Sequence, residues 1–132
     1  MKPKRPVLKF ILRPDVYPYS VAFWFGKHDD PAMQRWVHRH GLGNGDRFKI
    51  VEGDVAACWD MHGSSLIWVK WGPNRTAEAA ALVHESVHAA FDAGHYLGFI
   101  HSTKSEEFYT YLIQYLVMHA MRELGPVWCS SR

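Results

Sequence analysis

The sequence predicts an α+β fold: a short, mostly antiparallel sheet packed on two consecutive long helices. Three observations point there. Short runs rich in β-branched and aromatic residues occupy the first half of the chain, and turn residues separate them. The second half holds two long, Ala- and Leu-rich stretches in which Gly and Pro are scarce. Runs of strands followed by runs of helices, rather than strict alternation, are the signature of α+β.

Each element has its own justification. Residues 7–12 and 20–25 read as two strands joined across Arg13-Pro14-Asp15-Val16-Tyr17-Pro18. Asp30 is a suitable N-cap with Pro31 at the first helical position, so a helix over 31–40 is expected, stopped by Gly41. Two further strands, 55–61 and 66–71, turn at His62-Gly63-Ser64. Thr76 caps a helix over 77–93, and Gly94 sits where a left-handed residue would end it. Thr103-Lys104-Ser105-Glu106 fits the S/T-x-x-E capping box of a last helix reaching Leu124, where Gly125-Pro126 breaks the pattern.

Composition bounds the function. A chain of 132 residues fits a single domain spanning 1–132, and 48% hydrophobic against 21% charged residues is a globular balance. A net charge of +2 with no basic stripe beyond the first five residues speaks against nucleic-acid binding. Apolar runs are too short for a bilayer span, so no membrane partner is expected. Cys58 and Cys129 are far apart and form no CxxC pair, and isolated thiols suit a reducing, cytoplasmic setting. The basic start is followed by an apolar stretch interrupted by Lys9, too short for a signal peptide.

Nine His are present, and spacing decides which of them carry chemistry. His84-Glu85-Ser86-Val87-His88 is an HExxH motif inside a predicted helix. Residues four apart share a helix face, so both imidazoles can reach one ion, while Glu85 is offset toward the reacting water. Phe91 and Gly94 stand where the metzincin continuation needs Gly and His, which excludes that class, and His95 falls one residue too late. Glu106 and Glu107 offer carboxylates on the next helix. Glu106 is the capping-box N3 residue, whose side chain turns back to the helix start, so Glu107 is the expected third ligand, with Glu106 or Asp92 as alternatives. His28, His38, His40, His62 and His119 need no function.

His84-Glu85-x-x-His88 followed downstream by Glu107 resembles the gluzincin class of zinc metallopeptidases, and the segment 107–113 is similar to small HExxH proteins encoded by phages and prophages. The resemblance covers about a quarter of the chain, residues 80–114. It implies a zincin-like domain that holds Zn2+ through His84, His88 and Glu107, with Glu85 as general base in peptide-bond hydrolysis. Tyr111, one turn after Glu107, is the favoured oxyanion donor over His95 and His101, and Asp92 would orient a ligating imidazole. Tyr111 also stands where thermolysin-like enzymes carry an Asp. A peptide or protein substrate would lie along the strand 66–71, near Trp68 and Trp71. The alternative is a catalytically silent zincin-fold binding or assembly protein with phage partners, in a bacterial cytoplasm or a virion.

Overall fold

A computed structural model describes residues 5–15, 17–43, 45, 47–99 and 105–131. The elements run β1 (Leu8–Leu12), β2 (Ser20–Phe25), α1 (Asp30–Arg39), β3 (Ala56–Asp60), β4 (Ser64–Val69), α2 (Arg75–Leu97) and α3 (Glu106–Ser131). The fold is α+β, with a four-stranded mixed sheet and three helices among the described residues.

The strand order is β1-β2-β4-β3. Each outer pair is an antiparallel neighbour, β1 with β2 and β3 with β4, and the two central strands β2 and β4 run parallel. The β3–β4 connection is tight: His62 and Gly63 both have positive φ, 55° and 99°, as a type I′ hairpin turn requires. Asp60 Oδ1 accepts a bond from the His62 amide at 3.0 Å and holds the turn in place. β4 is therefore not the exposed strand that the sequence points to as a peptide-binding edge. It is flanked on both sides, and the free edges are β1 and β3. A parallel partner 44 positions away cannot be inferred from a hairpin pattern, which is why β4 reads locally as an edge.

Both faces of the sheet are covered, and side chains alternate between them. Val21, Phe23, Phe25, Ile67 and Val69 pack toward α2 and α3. Ala22, Trp24, Leu66 and Trp68 pack on the other face, against Met33, Trp36 and Val37 of α1 and against Phe48. This explains why β2 and β4 are continuous apolar runs rather than alternating ones. Phe23, Phe25, Phe48 and Trp68 are all at most 2% exposed, and each such side chain contributes roughly 1.5–3 kcal/mol relative to exposure.

Helix ends differ from the expectations for identifiable reasons. α1 is capped by Asp29, whose side chain accepts from the Ala32 amide at 3.1 Å; Asp30 instead accepts from the Phe48 amide at 2.8 Å and ties down the following loop. α2 is capped by Asn74, two residues before Thr76, through a 2.9 Å bond from the Ala77 amide. α2 also runs through Gly94 and ends at Gly98 in the left-handed conformation. Gly94 serves packing instead: a Cβ there would stand 2.2 Å from the Tyr109 hydroxyl on α3. The Thr103 capping box lies outside the described residues. α3 continues through Gly125 and Pro126, because Leu124 is buried and Trp128 beyond them is anchored by its indole N–H to Glu78 Oε1 at 2.8 Å.

A candidate metal centre on α2

α2 lies across β3 and β4 and has α3 beside it. Its buried side includes Leu82, Glu85, Ala89 and Ala93, so the helix presents His84 and His88 outward. The two imidazoles converge: their Nε2 atoms are 3.2 Å apart, with ring planes at 67°. Two nitrogens bound at about 2.0–2.1 Å to one tetrahedral ion stand about 3.3 Å apart. The pair thus has the spacing at which two imidazoles share one proton or one metal ion.

Glu85 sits on the sheet side of this pair, 6% exposed, with Oε1 3.9 Å from His84 Nε2. Burial raises its carboxyl above the usual carboxylate range; His84 and His88 pull it back, and Asp54 on the segment before β3 pushes it up further. A buried carboxyl beside an imidazole pair is placed to accept or return a proton. Alongside runs a groove of ≈ 240 Å³ lined by Val55, Lys70, Trp71, Pro73, Ala77 and Ala81, reaching to one turn before Glu85.

Below the histidines a polar chain enters the sheet. Tyr19 Oη and Ser65 Oγ are 2.6 Å apart, Ser65 Oγ donates to Asp92 Oδ2 at 3.4 Å, and Cys58 Sγ donates to the same oxygen at 3.7 Å. Burial pushes the Asp92 carboxyl up, Asp60 adds to the rise, and His88 lowers it. Burial, then Asp92 and Glu85, raise the Cys58 thiol, which stays protonated and so remains a donor. Asp92 lies one turn beyond His88, and its hydrogen bonds run to Ser65 and Cys58 rather than to an imidazole among the described residues. Sequence reasoning missed Tyr19, Asp54, Cys58 and Ser65 here. They come from strands and loops that meet α2 only in the fold, and no local pattern marks them.

The structure brings together His84, Glu85 and His88. Glu107 and Glu106 lie exposed on the first turn of α3, and among the described residues no three His, Cys, Asp or Glu side chains are gathered closely enough to hold a metal ion. Tyr111 is 44% exposed, and its ring meets Tyr17 edge-on at 6.3 Å rather than α2. His95 is exposed near the end of α2, and His101 lies outside the described residues. Both cysteines are free thiols, and no helix among the described residues is long and apolar enough to cross a membrane. Comparison with protein-family models, curated proteins and solved structures finds no match to this chain.

Proposed function

We propose that the chain is a small zincin-like, zinc-dependent metallopeptidase whose centre is the HExxH segment of α2. The observation that carries the proposal is the convergent His84–His88 pair with a buried, upward-shifted carboxyl beside it. A structural zinc site has no use for a base in that position. When bound, zinc supplies Lewis acidity and makes water a competent nucleophile near neutral pH. His84 and His88 would hold the ion, and Glu107 is assigned as the third protein ligand. Among the described residues Glu107 is not gathered with the pair, so its ligation would require its side chain to approach His84 and His88.

The remaining roles belong to the chain itself. Glu85 takes the proton of the attacking water and returns it to the leaving amine. Asp92, held by Ser65 and Cys58, fixes the orientation of the His88 side of the helix. The exposed edge of β3 beside α2 is where an extended peptide would pair, the role that the sequence assigned to β4. Tyr111 is retained as the proposed oxyanion donor, which would require its side chain to turn from Tyr17 toward the His84–His88 pair.

The test is metal analysis of the purified protein, then digestion of a peptide library by wild type and Glu85→Gln. Stoichiometric zinc in both, with cleavage by wild type alone, is the expected result. Zinc in both and cleavage by neither would replace the peptidase with the silent zincin-like binding or assembly protein, phage partners included. Absence of zinc from both would remove both readings.

A further inference from the structure

The two parallel central strands leave the sheet in opposite directions. After β2 the chain goes to α1 on one face; after β4 it goes to α2 on the other. Between parallel neighbours whose connections diverge in this way, a crevice opens outside the carboxyl ends of the strands, the usual place for a ligand in open sheets. A cavity of ≈ 590 Å³ lies there, between Gly26-Lys27-His28 after β2, Lys70-Trp71 after β4, and the segment 50–54 leading into β3. That volume falls in the range of small-molecule sites.

Its lining is built for an amphoteric, apolar guest. Trp68 closes the floor, held by its indole N–H to the Gly26 carbonyl at 2.9 Å, and the His28 ring stands edge-on against it at 5.2 Å. Trp71 is fixed by the Arg5 guanidinium stacked 4.2 Å above it. Gly26 has φ +135°, and a Cβ there would press on Val7 and on Trp71 at 3.2–3.4 Å, so this wall admits no side chain. Val51, 74% exposed, and Ile50 add apolar surface on the opposite wall.

Charge is divided across the opening. Lys27 and Lys70 stand at the strand ends, and among the described residues neither is in an ion pair. Glu52 and Asp54 belong to the facing segment. The charge of Arg5 is already matched by Glu78 at 2.7 Å.

We infer that this crevice binds a short zwitterionic peptide with aromatic or branched apolar side chains, its carboxylate toward Lys27 and Lys70 and its ammonium toward Glu52 and Asp54. The site stands on the cavity and its charges, and it does not depend on zinc at α2. The cavity also exceeds what one amino acid fills, which favours two or three residues over one.

The experiment titrates the dipeptide Leu-Phe into the Glu85→Gln protein, which keeps the peptide intact if α2 is hydrolytic, and follows tryptophan fluorescence and heat. Saturable binding is expected, weakened tenfold or more by N-acetylation or by C-amidation of the peptide. Lys27→Ala and Lys70→Ala should each weaken it at least fivefold while melting at the wild-type temperature, since both side chains are exposed. No saturable response to Leu-Phe would overturn the inference. So would capped peptides that bind as tightly as the free one, or L-phenylalanine alone matching the dipeptide. None of these results bears on zinc content or library cleavage, so the α2 reading fails or stands separately.

Discussion

Ser86 lies within the HExxH segment, yet its side chain is fully buried and among the described residues Oγ has no hydrogen-bond partner. A buried hydroxyl without a partner costs about 1–3 kcal/mol, and alanine is also the better helix former. Ser86→Ala is therefore expected to stabilise the fold by about 1 kcal/mol in urea denaturation; a loss of stability would mean that the hydroxyl has a partner after all. Gly94 behaves in the opposite sense. Alanine at a helix interior normally gains up to about 1 kcal/mol over glycine. Here the new methyl would meet the Tyr109 hydroxyl at 2.2 Å and its ring at 2.6 Å, so Gly94→Ala should destabilise by about 1–3 kcal/mol. Combining it with Tyr109→Ala should recover a large part of that difference; strict additivity of the two losses would show that the ring is not the obstacle. Gly94 also shows what a sequence can hide, because glycine as a cap and glycine as a contact point look the same in one dimension. Its neighbour in the fold, Tyr109, lies on a different helix.

At the scale of elements, one carboxylate ties three of them together. Glu78 on the first turn of α2 is 1% exposed. It pairs with Arg5 ahead of β1 at 2.7 Å, accepts from the Gly72 amide after β4 at 2.9 Å, and accepts from Trp128 near the end of α3 at 2.8 Å. Burial by itself would raise its carboxyl, but the bonds from Arg5, Trp128 and Gly72 more than reverse this and hold it below the usual carboxylate range. A folded-state pKa below the unfolded one gives stability that is complete above the ordinary carboxylate range and is lost as pH falls through the folded value. Glu78→Gln should therefore cost about 2–4 kcal/mol at neutral pH, and the gap to wild type should narrow steadily in acid melts. A gap that is constant with pH would exclude this carboxylate as the source. The same network explains why α3 overruns Pro126. Strand positions, the hairpin turn and the helical identity of 77–93 were legible because they depend on local pattern and turn chemistry. The overrun was not, since the residue that sustains it, Trp128, acts through Glu78 fifty positions away.

For the whole molecule, the candidate centre divides along the same line. His84, Glu85 and His88 were legible because one helix sets all three. The third ligand depends on how two helices and their connection meet, and spacing along the chain does not determine that. If Glu107 completes the site, zinc bridges two helices that already pack together, and metal loading is coupled to global stability. A ligand that binds only the folded chain adds about 2.7 kcal/mol at one hundred times its dissociation constant, which for a chain of this size is a rise in Tm of roughly 10 °C. Zinc added to the metal-free protein should produce a shift of that order, and chelation should reverse it. His84→Ala and His88→Ala should abolish the shift, because a single imidazole on an exposed helix face retains zinc poorly. Glu107→Gln should remove most of it while Glu106→Gln leaves it intact. The reverse pattern would move the third ligand to Glu106, and a full shift in both would place that ligand elsewhere, with Asp92→Asn as the next variant to melt.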